Sequence, residues 1–139
     1  MFNLQYLIAY AATAVVFLGF DAVWLTLMAD RLYRPNLGPL LLERYSATPA
    51  LLFYVIYMVG LVTFAVAPAL HSGKWTTALI HGALFGLCAY ATYDLTNQAT
   101  LRDWPVIVTV ADLCWGTFVS AAAAMLGYRI TTWAAAAMA

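Results

Sequence analysis

Four long apolar runs constrain the fold of this chain more than any other feature of its sequence. Each run is long enough to cross about 30 Å of hydrocarbon as a helix, which takes about 20 residues. Helices are required there because lipid offers no hydrogen-bonding partner to unpaired backbone groups. A closed barrel would need many short strands of alternating polarity, and the sequence lacks that alternation. We therefore predict an all-α polytopic membrane protein, a four-transmembrane-helix bundle with short loops and spans at about 4–28, 50–70, 76–96 and 105–127.

The composition agrees with lipid as the surrounding solvent. Of the 139 residues, 65% are hydrophobic and 9% are charged, whereas soluble proteins carry about 25% charged residues. The length favours a single membrane domain over 1–139. The net charge of zero argues against nucleic acid as a partner, because nucleic-acid binding needs a basic surface. Cys88 and Cys114 lie in apolar runs and lack the spacing of a disulfide framework or a metal site.

The basic residues predict which way the bundle is inserted. Connections on the cytoplasmic side of a membrane carry an excess of Lys and Arg. The first and third connections together hold four arginines, whereas the other side holds two basic residues. We therefore predict that both termini lie outside the cytoplasm. The residues counted are Arg31, Arg34, Arg44 and Arg102 on one side, and Lys74 and Arg129 on the other.

Three aspartates within the apolar runs are the main candidate functional residues. Asp21 lies toward the end of the first run, Asp94 toward the end of the third, and Asp112 near the start of the fourth. Because the chain crosses the membrane between them, all three fall toward the same side whichever way the bundle is inserted. Ionisable residues in spans almost always face the bundle interior or a wet cavity. We therefore predict a small polar pocket near the cytoplasmic side.

Aromatic and amide side chains share helical faces with these acids. Two Asp-x-x-Trp sequences, in the first and fourth runs, each place an indole near the face of the acid. The stretch "YATYDLTNQATLRDWP" (90–105) surrounds Asp94 with tyrosines and amides, and Gly82 and Gly86 permit close helix contact beside it. Tyr54 of the second run lies near the same side and is a further candidate. The predicted ligand-binding residues are Asp21, Trp24, Tyr90, Asp94, Asn97, Asp112 and Trp115.

The acids also have a purely structural interpretation. Each carboxyl could be protonated, or could tie helices together by accepting hydrogen bonds from Trp, Tyr, Asn or backbone groups. Arg31 or Arg34 could also fold back to neutralise a pocket acid. No acid-rich motif at tight spacing supports a metal site, and neither His71 nor His81 lies where it could partner the acids. The sequence presents no serine or cysteine nucleophile with a base, so it identifies neither catalytic residues nor a cofactor.

The chain resembles a family of small bacterial integral membrane proteins that is catalogued as a domain of unknown function. The resemblance rests on "DAVWL", "FYVIYMVGLVTFAVAPAL", "YATYDLTNQATLRDWP" and "DLCWG", and YDLTN-x-ATL-x-x-W is its most distinctive segment. It implies a multi-pass protein of the bacterial inner (cytoplasmic) membrane, with both termini periplasmic under the charge bias above. Members are often encoded near enzymes of fatty-acid modification or photo-oxidative stress, so the resemblance implies a lipid-linked role.

Three functions stay open. The first is a lipid- or isoprenoid-handling membrane enzyme or enzyme partner, in which the acids orient or protonate a head group. The second is a proton- or cation-coupled small transporter that acts as a homodimer, since acids within spans are typical of such relays. The third is a non-catalytic subunit of a larger membrane complex, whose small-residue faces at Gly82, Gly86 and 120–125 contact partners. Membrane lipids are expected partners in each case.

Overall fold

The computed structural model describes residues 3–139, and every regular element in that range is helical. The helices contain the predicted spans and extend beyond them. The first helix continues into the predicted first connection, and the last runs well past residue 127. In chain order the elements are α1 (Asn3–Met28), a π-helical turn (Ala29–Tyr33), α2 (Arg34–Leu37), a 3₁₀ turn (Gly38–Leu40), α3 (Ala47–Leu61), a second π-helical turn (Val62–Val66), α4 (Ala67–Ser72), α5 (Trp75–Thr100) and α6 (Val106–Met138).

Three helical stretches within residues 3–139 are long and apolar enough to cross a membrane. They are Leu4–Leu40, Ala47–Ser72 and Val106–Met138, which contain the first, second and fourth predicted spans. The predicted third span lies in α5, which has 26 residues and is therefore about 39 Å long at 1.5 Å per residue. It is the least apolar of the long helices and is not among the three. The chain is thus an all-helical membrane protein with three candidate spans, and the fourth span stays a prediction.

Two prolines lie inside continuous helical stretches, although the sequence marks them as breaks. Pro35 and Pro68 each follow a π-helical turn and stand near the start of the next short helix. A proline lacks an N–H, and its ring crowds the carbonyl four residues earlier; the wider π-helical turn accommodates both effects. The carbonyl freed before Pro68 belongs to Phe64, and it accepts a hydrogen bond from Nδ1 of His81 in α5 at 3.1 Å. The helical stretch therefore continues past Pro35, and Tyr33 lies on it.

Helix α6 is the centre of the bundle: α5 packs along it, and α1 packs against another part of its surface. Glycines allow α5 to approach closely. A Cβ added at Gly82 would lie 2.7 Å from the carbonyl oxygen of Ser120, and one added at Gly86 would overlap the carbonyl oxygen of Gly116. The predicted close contact at these two glycines is confirmed. The same small-residue faces therefore pack against each other within the chain, and their contact with another subunit stays a prediction.

We expect Gly86→Ala to lower the free energy of unfolding by about 1–3 kcal/mol, because the added methyl overlaps backbone of α6. Gly19→Ala is the matched control. No atom lies within 4 Å of a Cβ added at Gly19, so this change should leave stability unaltered or raise it slightly. Thermal unfolding of both variants in one detergent measures the difference. A Gly86→Ala melting temperature equal to that of the wild type would contradict the close packing of α5 on α6.

Candidate functional site

A cavity of about 440 Å³ lies between α1, α3, α5 and α6, and we call it the acidic cavity. The three predicted aspartates all line it. Asp94 is fully buried, and Asp21 and Asp112 are only 7% and 6% exposed. Aromatic side chains form most of its walls, so the carboxyls are held in a largely apolar surrounding. The full lining is Asp21, Trp24, Leu25, Tyr33, Phe53, Tyr54, Tyr57, Ala89, Tyr90, Tyr93, Asp94, Asp112 and Trp115.

The structure brings six of the seven predicted pocket residues to this cavity, and it adds Tyr54, the further candidate. The six are Asp21, Trp24, Tyr90, Asp94, Asp112 and Trp115. Asn97 does not line the cavity. It lies about one turn beyond Asp94, where its carbonyl accepts the backbone N–H of Leu101 at 2.8 Å near the end of α5. Binding of a ligand by these residues stays a prediction.

Asp21 connects three helices. Its Oδ2 accepts a hydrogen bond from the Tyr54 hydroxyl of α3, and its Oδ1 accepts one from Nε1 of Trp115 in α6 at 3.2 Å. Both carboxyl oxygens therefore have protein donors. Interhelical hydrogen bonds of this kind contribute to packing within membranes, so the structural interpretation fits this acid well.

Asp112 is bound through a tyrosine. The Tyr33 hydroxyl donates to Asp112 Oδ1 at 2.5 Å and accepts from Nε1 of Trp24 at 2.9 Å. Each Asp-x-x-Trp sequence therefore contributes its indole to the acid of the other. Trp24 of α1 is linked to Asp112 of α6 through the Tyr33 hydroxyl. Trp115 of α6 donates directly to Asp21 of α1. The two indoles also stack, with ring centroids 4.5 Å apart and planes 8° apart. This reciprocal arrangement gives a structural reason for the repeated spacing.

Sequence reasoning missed the place of Tyr33 in the acidic cavity. Tyr33 follows Trp24 by nine residues, which is two and a half turns of an ordinary α-helix and would put the two side chains on roughly opposite faces. The π-helical turn changes that phase and brings the hydroxyl to the indole. Leu32 and Leu37 then pack with Val108 of α6 and hold the turn in place. The proline after this turn is the only sequence signal for it.

Asp94 differs from the other two acids. It is fully buried, it lines the acidic cavity, and neither of its carboxyl oxygens has a hydrogen-bond partner. The carboxyl of Asp112 lies beside it, close enough for the two acids to share a proton in a hydrogen bond, but no tyrosine, tryptophan or backbone group donates to Asp94. A buried polar group without a partner costs free energy, and a charged one costs more. Asp94 is therefore the group in the cavity with most to gain from a proton, a cation or an N–H donor.

The described residues supply no counter-charge to the cavity. Nε of Arg34 pairs instead with Oδ1 of Asp30 at 3.1 Å, and both side chains are exposed. The alternative in which Arg31 or Arg34 folds back onto a pocket acid is therefore wrong within residues 3–139. No group of three or more His, Cys, Asp or Glu residues in that range is arranged to hold a metal ion.

The fold and this cavity define a class of small all-helical membrane proteins with buried acids among their helices. The chain belongs to the family described as Predicted membrane protein (DUF2177), which matches residues 6–129. The match includes every residue that lines the acidic cavity, and it confirms the resemblance noted above. Neither the curated proteins nor the solved structures contain a match to the chain.

We expect Tyr33→Phe to lower the free energy of unfolding by roughly 1–2 kcal/mol, because it removes the donor to Asp112 and the acceptor for Trp24. Tyr45→Phe is the control, since Tyr45 is 85% exposed and should tolerate the loss of its hydroxyl. Denaturation in detergent, combined with Asp112→Asn in a double-mutant cycle, measures the coupling. Strictly additive effects of Tyr33→Phe and Asp112→Asn would contradict the interaction.

Proposed function

We propose that the protein binds the polar end of a membrane amphiphile in the acidic cavity, as a lipid- or isoprenoid-handling membrane enzyme or enzyme partner. The observation that carries this proposal is Asp94, which is buried without a partner in a cavity large enough for a small head group. A donor on that head group would make the hydrogen bonds that Asp94 lacks. Ligand sites are typically apolar and aromatic with a few polar groups that fix orientation, and this cavity has that character.

The edge of the acidic cavity supports entry from the bilayer. Leu25 and Phe53 line it and are 45% and 44% exposed. They belong to α1 and α3, both within candidate spans, so their outer surfaces are expected to face acyl chains. An amphiphile in the bilayer would then reach Asp94 between these two helices without first passing through water.

A second cavity of about 620 Å³ supports the same route for the apolar part of the ligand. It lies farther along the boundary between α1 and the α3–α4 stretch, and its lining is mostly apolar. A hydrocarbon chain attached to a head group in the acidic cavity could lie along this boundary. The lining residues are Tyr6, Leu7, Tyr10, Val59, Val62, Thr63 and Ala67.

We infer further that α5 crosses the membrane, which gives four spans. It packs along α6, itself a candidate span, from Gly82 and Gly86 to Asp94 beside Asp112. A helix in contact with a spanning helix over that length has to cross much of the same thickness. Most of its polar residues lie near its two ends, Asp94 faces the acidic cavity, and His81 bonds to the Phe64 carbonyl. These residues account for the lower hydropathy of α5. The excess of arginine in the first and third connections then favours an inner membrane protein with both termini in the periplasm.

Reporter fusions test the number of spans. We expect alkaline phosphatase to be active when fused after the C-terminus or in the connection at Gly73, and inactive when fused within 41–46. Green fluorescent protein at the same positions should give the opposite pattern, because it fluoresces in the cytoplasm. An N-terminus and a C-terminus on opposite sides of the membrane would contradict four spans.

Lipid analysis of cells tests the function. We expect deletion of the protein to change the abundance of at least one lipid class, and the wild type to restore it. Asp94→Asn should fail to restore it, because the amide removes the ionisable carboxyl from this position. Asp103→Asn is the matched control, since Asp103 is exposed in the third connection and has a φ of 59°, a conformation that asparagine tolerates. Lipid profiles that are identical in deletion and wild-type cells would contradict lipid handling.

A proton- or cation-coupled small transporter is the second candidate, and the pair formed by Asp94 and Asp112 favours it. Adjacent carboxyls inside a membrane are typical of proton relays. Here we expect proton or cation flux in vesicles containing the wild type, lost in Asp94→Asn and kept in Asp103→Asn. Flux that persists in Asp94→Asn would remove this acid from the transport mechanism.

A further inference from the structure

A third cavity, of about 1050 Å³, borders the acidic cavity and carries basic groups. It is formed by the first connection together with the adjoining helix ends, and we call it the basic vestibule. Arg34 and Arg44 line it, together with one acid, Glu43. Leu25 and Tyr33 line both cavities. The arginines of the vestibule and the aspartates of the acidic cavity therefore line adjoining spaces that share these two side chains.

The acidic cavity selects against anions. Its lining includes three aspartates and no Lys, Arg or His. A phosphate placed among these carboxyls would meet only like charge, whereas a cation would be attracted. The stacked indoles of Trp24 and Trp115, with the surrounding tyrosine rings, add aromatic faces that favour a cation further.

The hydrogen-bonding pattern narrows the kind of cation. Asp21 already has protein donors on both carboxyl oxygens, and Asp112 has one from Tyr33. Asp94 has no N–H or hydroxyl donor on either oxygen, and its neighbour is the carboxyl of Asp112. A primary ammonium group carries three N–H donors and can satisfy the Asp94 oxygens, whereas a quaternary ammonium group carries none. The acidic cavity therefore fits a primary ammonium group better than a choline-type group.

The basic vestibule fits a phosphate. Arg34 uses Nε in its pair with Asp30, so the other guanidinium N–H groups are available to a ligand. Arginine is well suited to phosphate because its planar donors match two phosphate oxygens at once. Arg44 adds a second positive charge on the same cavity.

We propose that the amphiphile is a phosphoethanolamine-type lipid, with its primary ammonium group in the acidic cavity against Asp94 and its phosphate in the basic vestibule at Arg34 and Arg44. This inference rests on the proposed function, since it names the head group of the amphiphile. The same head group also exists as soluble phosphoethanolamine. The bilayer-facing edge at Leu25, which lines both the acidic cavity and the vestibule, favours the lipid, because acyl chains attached through the phosphate can leave into the bilayer there.

Retention of lipids by the purified protein tests this proposal. The protein is equilibrated in mixed micelles that hold equal amounts of phosphatidylethanolamine, phosphatidylcholine and phosphatidylglycerol, and bound lipids are counted by native mass spectrometry. We expect phosphatidylethanolamine to be enriched over phosphatidylcholine by roughly tenfold, as one charged hydrogen bond would give. Asp94→Asn should abolish that enrichment, and Asp103→Asn should keep it. If Asp94→Asn does not fold, the ratio of phosphatidylethanolamine to phosphatidylcholine retained by the wild type decides whether the cavity prefers a primary ammonium group.

A second pair of variants tests the phosphate end. Arg34→Gln should lower retention of all three phospholipids without changing the ratio of ethanolamine to choline lipid. Arg31→Gln is the control, because Arg31 lies in the same π-helical turn region but lines neither cavity. Equal retention by Arg34→Gln and Arg31→Gln would overturn the assignment of the vestibule to phosphate.

The outcomes separate this inference from the proposed function. Lipids retained without preference for phosphatidylethanolamine, or with a preference that survives Asp94→Asn, would overturn the head-group assignment and leave the proposed function standing. Retention of no lipid of any class would overturn both. Thermal stabilisation by soluble phosphoethanolamine, without enrichment of its lipid, would overturn the lipid as the source of the head group.

Discussion

The close approach of α5 to α6 determines where the groups of the acidic cavity lie. Glycines at 82 and 86 let the two backbones come together, and the same contact carries Asp94 to the side of Asp112. Larger residues at those glycines would separate the helices and with them the two acids. Helix α1 then packs on α6 and brings Asp21 to the indole of Trp115, which α6 carries. The acidic cavity is thus formed by the close α5–α6 pair together with α1, which packs against α6.

Hydrogen-bond donors divide the three acids into two kinds. Asp21 and Asp112 accept bonds from tyrosine and tryptophan on neighbouring helices, so they hold the bundle together as the structural interpretation of the sequence predicts. Asp94 is equally buried but has no donor. Within an apolar surrounding this difference matters in free energy, because a buried polar group without a donor loses its solvation without full compensation. The structural and functional interpretations therefore apply to different acids in the same cavity.

Much of this arrangement could be predicted from the sequence, because spans follow from apolar length and the side of each acid follows from counting crossings. The place of Tyr33 could not, since it depends on a π-helical turn that shifts the helical phase, and a proline alone does not specify that turn. Asn97 shows a different limit. Helical spacing puts it on the face of Asp94, but the cavity ends before it, and where a cavity ends depends on the packing of other helices. The close helix contact at Gly82 and Gly86 could be predicted, but the identity of α6 as the helix that fills it could not, because composition does not say which helix packs there.

The central claim is that the acidic cavity holds the polar end of an amphiphile at Asp94. A cryo-electron microscopy map of the protein in lipid nanodiscs tests it most directly. The account predicts elongated density that enters between α1 and α3 and ends within hydrogen-bonding distance of the Asp94 carboxyl. A map in which aromatic side chains fill the cavity, or in which Asp94 pairs with a protein donor and lipid density stays outside the bundle, would contradict it.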